Sequence, residues 1–124
     1  LAFKHVGGLP AAQNGAGDPC ILFDTKTHTA WIAALWTHGC GNQRAWWSSH
    51  QGMTPEETGQ LVLTRSNDDG KTWSEPINVT AQVKDPSWYL LLQGPGRGIT
   101  MDDGTLVFPI QFIDSTRVPN AGVM

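Results

Sequence analysis

Hydrophobic and polar residues alternate along this chain in short runs, and such a pattern is typical of β-strands. Residues 20–24 and 29–36 are two of these runs, and because the polar turn 25–28 separates them they predict a β-hairpin. A third strand is predicted over residues 61–66, and a fourth over residues 72–79. The pattern therefore predicts four consecutive antiparallel strands.

The same pattern begins again after an irregular stretch at residues 85–98. A second hairpin is predicted from residues 99–101 and 105–112, with a glycine-containing turn between them. Four short strands, a loop and a new hairpin are typical of one blade of a β-propeller followed by the inner part of the next. We therefore predict an all-β fold, with one blade over residues 18–80 and the start of the next over residues 97–124.

Two stretches lack this alternation. Residues 1–18 are rich in glycine and proline and predict a loop. Residues 38–59 form a long polar segment that contains the pair Trp46-Trp47, and the sequence Thr-Pro-Glu-Glu at residues 54–57 predicts a single helical turn. Loops of this length usually carry function, and tryptophans often provide flat walls for ring-shaped ligands such as sugars.

The composition narrows the class of partner. Hydrophobic residues make up 40% of the chain and charged residues 15%, so the chain is expected to fold. The net charge of -3, without any cluster of Lys or Arg, excludes a nucleic-acid binder. No apolar run approaches the roughly 20 residues of a membrane-spanning helix.

The cysteines and histidines lack the spacing of metal ligands, so no metal or cofactor is predicted. Because the chain begins with Leu1 rather than Met, we expect an internal fragment.

One motif in the chain is specific. Residues 66–73 match the Asp box, Ser-x-Asp-x-Gly-x-Thr-Trp, at every defined position: Ser66, Asp68, Gly70, Thr72 and Trp73. The carboxylate is expected to accept hydrogen bonds from turn amides, the glycine to adopt a positive φ, and the tryptophan to fold back over the turn. The motif is therefore predicted to be structural, without ligand contacts. Its acidic run does not fit a calcium-binding EF-hand loop, because the glycine and the terminal Glu are misplaced.

Beyond the box, residues 17–112 resemble the catalytic domain of bacterial exo-sialidases. The resemblance is carried by Gly17-Asp18-Pro19 at a strand entry, by the boxed strand pair at 61–78, and by the glycine-rich loop at 93–99 with the hairpin that follows. It implies a six-bladed β-propeller and an enzyme that removes terminal sialic acid with retention of configuration. In that family a Tyr activated by Glu is the nucleophile, since a carboxylate would be repelled by the carboxylate of sialic acid.

The resemblance also implies that this chain holds no catalytic residue. The acid/base Asp and an Arg-Ile-Pro segment are expected before Leu1, and the Glu, the remaining arginines and the Tyr after Met124. Tyr89 does not match the context of the nucleophile, and no arginine matches the substrate-carboxylate triad; we interpret the four as solvated or loop-bracing: Arg44, Arg65, Arg97 and Arg117. The segment alone is therefore predicted to be inactive.

By the same resemblance, the chain contributes the pocket for the N-acetyl and glycerol arms of sialic acid. Asp18 is the predicted acceptor of the amide proton, Trp36 and Trp46 are predicted aromatic walls, and Leu92 is predicted to contact the acetyl methyl group. Structural alternatives exist for each: a turn at Asp18, sheet packing for Trp36, core packing for Leu92, and Trp47 in place of its neighbour.

Sialylated glycans and the rest of the parent propeller are thus the expected partners, and the parent is expected to be secreted, periplasmic or on the cell surface, because sialoglycans lie mostly outside cells. A different class remains open, a non-catalytic Asp-box propeller that binds glycans or proteins. A third possibility is a hydrolase of another glycan, which would carry paired carboxylates in place of the arginines.

Overall fold

The computed structural model of the protein describes Phe3 and residues 15–37 and 45–124. Most of its regular structure is β-strand, in agreement with the predicted all-β class. The elements within these residues are β1 (Gly15–Asp24), β2 (Thr29–Thr37), α1 (Ala45–Ser48), β3 (Gln60–Ser66), β4 (Ile77–Asn78), α2 (Thr80–Val83), β5 (Leu90–Gln93), β6 (Gly96–Arg97), β7 (Ile99–Thr100), β8 (Leu106–Val107), β9 (Pro109–Ile113) and β10 (Pro119–Val123).

The first sheet has the strand order β4-β3-β2-β1-β6. The predicted hairpin is confirmed, since β1 and β2 pair antiparallel from Asp24 opposite Thr29 to Gly15 opposite Thr37. The predicted third strand is also confirmed as β3, which pairs antiparallel with β2. The predicted loop over residues 1–18 is wrong at its end, because the backbone of residues 15–17 already pairs with β2. Most of the remaining loop prediction lies outside the described residues.

The predicted fourth strand, residues 72–79, is much shorter than expected. Only Ile77–Asn78 pair with β3 as β4. The amide of Thr72 is held by the Asp68 carboxylate at 2.9 Å, and Pro76 has no amide to offer a sheet. Between these points the Ser74 amide still donates to the Arg65 carbonyl at 2.8 Å, so the chain follows β3 without forming a regular ladder.

The second sheet has the order β10-β9-β5, and it differs from the prediction in two ways. Residues 85–98, predicted to be irregular, contain β5, whose four residues are all buried. The predicted continuous strand 105–112 is divided at Phe108, so that β8 pairs with β7 whereas β9 pairs with β5 and β10. Phe108 instead exchanges both backbone hydrogen bonds with Met124.

The main core joins the two sheets. It contains Leu22, Leu61, Leu91 and Phe108 from both sheets and from the segment between β8 and β9, all at most 4% exposed. Gly98 lies where the backbone after β6 meets this core, and a Cβ at this position would be 2.5 Å from the Val107 carbonyl oxygen and 2.7 Å from Leu22 Cδ1. The close approach therefore requires glycine.

The other face of the first sheet is only partly covered. Ile21 and Phe23 of β1 are each 52% exposed on this face. Farther along the same face, Trp36, Ala34 and Val62 form a small buried cluster against which Phe3 packs. The alternation along β1 and β2 thus divides the side chains between a well-packed face and a partly open one.

Candidate functional site

A cleft of about 460 Å³ opens beside the N-terminal end of β1. Its walls come from four parts of the chain: β1, the end of β2, α1 and β5. The lining residues are Gly15, Ala16, Gly17, Asp18, Leu35, Thr37, Ala45, Trp46, Leu90 and Leu92. Three of the four predicted pocket residues, Asp18, Trp46 and Leu92, therefore lie around one cavity.

Asp18 lies in a β-bulge. Gly17 is opposite Leu35 and Cys20 is opposite Ala33, so β1 has one more residue than β2 between these pairs. Asp18 adopts a positive φ of 51°, a conformation that Asp tolerates better than most residues. The turn and the ligand interpretations of this residue are thus compatible, because the bulge presents its exposed side chain at the cleft. Among the described residues, none donates a hydrogen bond to its carboxylate.

Trp46 belongs to α1, a single helical turn at the edge of the cleft. It packs against the apolar cluster of Leu35, Leu90, Leu92 and Ile113. Its neighbour Trp47 is 70% exposed and is not among the lining residues. Of these two neighbouring tryptophans, Trp46 therefore lines the cleft and Trp47 does not.

Leu92 lies on β5, where successive side chains point to opposite faces. Leu90 and Leu92 belong to the cluster beside the cleft, whereas Leu91 belongs to the core between the sheets. Leu92 is 8% exposed, so it has both of the roles considered from the sequence, core packing and a place on the cleft wall.

Trp36 is not among the residues that line this cleft. It is 6% exposed and packs with Ala34 and Val62 on the opposite face of the first sheet. This location agrees with the sheet-packing alternative, and a role as an aromatic wall stays a prediction that the cleft geometry does not support.

The loop that follows α1 is held by short-range hydrogen bonds. The predicted turn at residues 54–57 is present, since the amides of Glu57 and Thr58 both donate to the Thr54 carbonyl at 3.0 Å. The Glu57 carboxylate accepts from the amides of Thr54 and Met53, and these bonds lower the pKa of Glu57. The bond from the Thr54 amide to the Glu57 carboxylate is the carboxylate half of a capping box. The loop is therefore an ordered support for the cleft wall.

The Asp box has the geometry predicted for it. The Asp68 carboxylate accepts from the hydroxyl and the amide of Thr72 and from the Ser66 hydroxyl, and these bonds lower its pKa from 3.8 to about 2. Gly70 has a φ of 80°, and the Trp73 indole donates to the Gly70 carbonyl at 3.1 Å. None of these residues lines the cleft.

Two arginines brace aromatic rings. The Arg117 guanidinium lies 3.6 Å from the centroid of the Tyr89 ring, and that of Arg65 lies 5.6 Å from the Trp31 ring. Arg117 therefore has the loop-bracing role that was one of the two expectations, whereas Arg65 is exposed, as in the solvated alternative, and its contact joins neighbouring strands. Arg97 is exposed on β6, and Arg44 lies outside the described residues.

Sequence reasoning missed Leu35 and Leu90, which form the floor beside Trp46. A signal for Leu90 was available, since it is two residues from Leu92 and shares its face of a strand. Leu35 offered no such signal, because its contact with Leu90 joins strands from different sheets.

The described residues also bear on metal binding and on membrane insertion. Within the described ranges, no group of three His, Cys, Asp or Glu side chains is arranged to hold a metal ion. In the same part of the chain, no helix has the length and apolar character needed to cross a bilayer.

Comparison with known proteins relates this geometry to a family. The BNR repeat-like domain model matches residues 14–121. A sialidase of Bacteroides fragilis (strain YCH46) is 76% identical over 124 residues, which is 100% of this chain and 23% of that protein. The structure of the Hadza microbial sialidase Hz136 matches with a TM-score of 0.93 at 65% identity, over 99% of this chain and 24% of that chain.

A more distant structure has the same fold. Trypanosoma rangeli sialidase in complex with sialic acid matches with a TM-score of 0.70 at 18% identity, over 99% of this chain and 20% of that one. The chain spans about a quarter of the length of the two closer sialidases. We conclude that it belongs to the BNR repeat-like domain family, is homologous to bacterial sialidases and has the fold of one segment of their six-bladed β-propeller.

Proposed function

We propose that the whole protein containing this chain is an exo-α-sialidase and that the chain forms the pocket for the N-acetyl and glycerol arms of the sugar. The observation that carries the proposal is the convergence of Asp18, Trp46 and Leu92 on one cleft. These residues come from a bulge, a helical turn and a strand that are far apart in sequence. The identity to a protein named as a sialidase supports the same conclusion.

The chemistry of the cleft suits an acetamido sugar. The Asp18 carboxylate is an exposed acceptor, and a hydrogen bond from an amide to a charged group contributes about 1.5–3 kcal/mol. Leu92 and Leu90 offer an apolar surface on which one methyl group contributes about 0.8 kcal/mol. Trp46 adds an aromatic face of the kind that packs against sugar rings. Together these groups would favour a sialoside over a related sugar without the acetamide.

In this proposal the catalytic groups come from outside the chain. Other blades are expected to hold a tyrosine nucleophile with its Glu, an acid/base Asp and three arginines that bind the substrate carboxylate.

We also propose a location for the protein, outside the cytoplasm, where sialoglycans are found. Fractionation of cells that express the full-length gene tests this point.

The test of function uses the full-length protein and a fluorogenic sialoside. We expect hydrolysis by the wild type, and a rise in KM of roughly tenfold for Asp18→Ala with little change in kcat. Asp69→Ala is the matched control, because Asp69 is an exposed Asp of the box turn with a similar positive φ of 59°. Absence of hydrolysis, with sialoglycan binding retained, would instead support a non-catalytic propeller. Unchanged kinetics in Asp18→Ala would remove this residue from the site.

A further inference from the structure

Lys84 is a buried lysine directly after α2, and it is 4% exposed. Its ammonium group donates to the carbonyl oxygens of Gly52 at 2.6 Å, Trp88 at 2.5 Å and Asp85 at 3.3 Å. An ammonium group has three N–H donors, so these carbonyls use all of them. The side chain therefore has a fully bonded place in the interior.

These carbonyls belong to two segments that are distant in sequence. Gly52 lies in the loop that follows α1, and Asp85 and Trp88 lie just before β5. Two further hydrogen bonds join the same segments, from the Gly52 amide to the Pro86 carbonyl at 3.0 Å and from Gln51 Nε2 to the Ser87 carbonyl at 2.9 Å. Lys84 is the buried centre of this junction.

The junction leads directly to the cleft. The Ser49 amide donates to the Ala45 carbonyl at 2.9 Å, and the Ser49 hydroxyl accepts from the Gly59 amide at 3.1 Å, so the loop is closed onto α1. Trp46 lies in α1, and on the other side of the junction Leu90 and Leu92 follow Trp88 in the chain. The bonds around Lys84 therefore link the two walls, in addition to the direct packing of Trp46 on Leu90 and Leu92 and the bond from the Thr58 hydroxyl to the Tyr89 carbonyl at 2.8 Å.

Burial of a lysine side chain at this position is unfavourable in free energy. Removal from water lowers the pKa of Lys84, although the carboxylates of Asp85 and Glu57 act in the opposite direction. A buried charge is tolerated only when its hydrogen bonds are satisfied. An apolar side chain of similar length would fill the space but would remove the Lys84 donor from the Gly52 and Trp88 carbonyls, whereas the Asp85 carbonyl would keep its bond from the Trp88 amide at 3.0 Å.

We propose that Lys84 is a positioning residue that fixes the Trp46 wall of the cleft against the β5 wall. It does not contact the substrate; it holds the two segments that carry the contacting side chains. This proposal rests on the proposed function only for its kinetic consequence, since the bonding of the loop can be tested without a substrate.

The test uses Lys84→Met in the full-length protein, with Lys71→Met as the matched control because Lys71 is an exposed lysine in the Asp-box turn. We expect KM for a sialoside to rise roughly five- to tenfold in Lys84→Met with kcat within about twofold, because the walls bind the ground state and the transition state alike. We also expect faster amide hydrogen exchange in peptides covering residues 49–59, with little change in the peptide of β2 and β3. Lys71→Met should show neither effect.

A second variant covers the case in which Lys84→Met does not fold. Gln51→Ala removes one exposed bond of the same junction, and we expect a smaller rise in both KM and loop exchange. Unchanged exchange in residues 49–59 of a folded Lys84→Met would overturn the proposal. So would faster loop exchange with unchanged KM, because the wall would then not depend on the junction. If the wild type does not hydrolyse sialosides, the proposed function fails, and the exchange data still decide whether Lys84 holds the loop.

Discussion

The side-chain amide of Gln93 donates to the backbone carbonyl of Asp18 and so joins β5 to the bulge of β1. Gln93 is completely buried, and a second, longer contact of 3.5 Å joins the same Nε2 to the Gly17 carbonyl. Within the described residues, its Oε1 atom has no hydrogen-bond partner. The place of Asp18 at the cleft therefore depends on a residue of the other sheet.

We predict that Gln93→Met raises KM for a sialoside in the full-length protein, because the Asp18 bulge loses its cross-sheet donor. The same change should lower the free energy of unfolding by at most about 1 kcal/mol, since it removes the donor to the part-buried Asp18 carbonyl but also removes the unpaired Oε1 of Gln93. Steady-state kinetics and urea unfolding measure the two effects. Gln82→Met, at an exposed glutamine of α2, is the control and should change neither quantity.

Trp46 and Trp36 should respond differently to truncation. Trp46→Ala is expected to raise KM roughly tenfold with a modest loss of stability, because this ring is partly exposed on the cleft wall. Trp36→Ala is expected to lower the free energy of unfolding by about 3–5 kcal/mol, because its ring fills a buried cluster. Kinetics and chemical unfolding on both variants test this. The reverse pattern would return Trp36 to the substrate site.

Asp68 should give the fold a measurable dependence on acid. Because its pKa is about 2 in the folded protein and 3.8 as the ordinary value, its stabilising effect is complete above pH 3.8 and is lost as the pH falls through 3.8 towards 2. We expect the difference in thermal midpoint between the wild type and Asp68→Asn to shrink across this range. A constant difference from pH 6 to pH 2 would contradict the prediction.

Gly98 should tolerate no side chain. Gly98→Ala would place a methyl group against the Val107 carbonyl and Leu22, and we expect a loss of about 1–3 kcal/mol in the free energy of unfolding. Gly15→Ala is the matched control, because the nearest atom to its added Cβ is 3.5 Å away. Equal unfolding midpoints for the two variants would show that the backbone relaxes at Gly98.

The parts of the fold that could be predicted from the sequence are those fixed by local pattern. The hairpin of β1 and β2 shows alternation and a polar turn, and the Asp box carries its own hydrogen-bond partners within eight residues. β5 was missed because it is buried on both faces, so Leu90, Leu91 and Leu92 show no alternation. The long-range partners that bury them are invisible to a local pattern.

The residues of the candidate site also divide into those that could be predicted from the sequence and those that could not. Asp18, Trp46 and Leu92 were identified through a resemblance to a family, because such a resemblance assigns residues from distant parts of the chain to one site. The supports of the site were not found, because the bonds of Lys84 and Gln93 join segments tens of residues apart. A buried lysine or glutamine in a sequence has no mark that distinguishes it from an exposed one.

Because of the bulge at Asp18, the shape of the cleft depends on the number of residues in β1 as well as on their identity. With one extra residue between Gly17 and Cys20, both of these residues point to the same face as their partners on β2. Deleting Asp18 would remove the bulge and leave a regular ladder, in which residues 15–17 and 20–24 keep their partners on β2. The strand would lose the local bend of the bulge and the carboxylate that the bulge presents at the cleft. Substitutions in this strand entry can therefore be absorbed, whereas a one-residue deletion would change the cleft even if the sheet still forms.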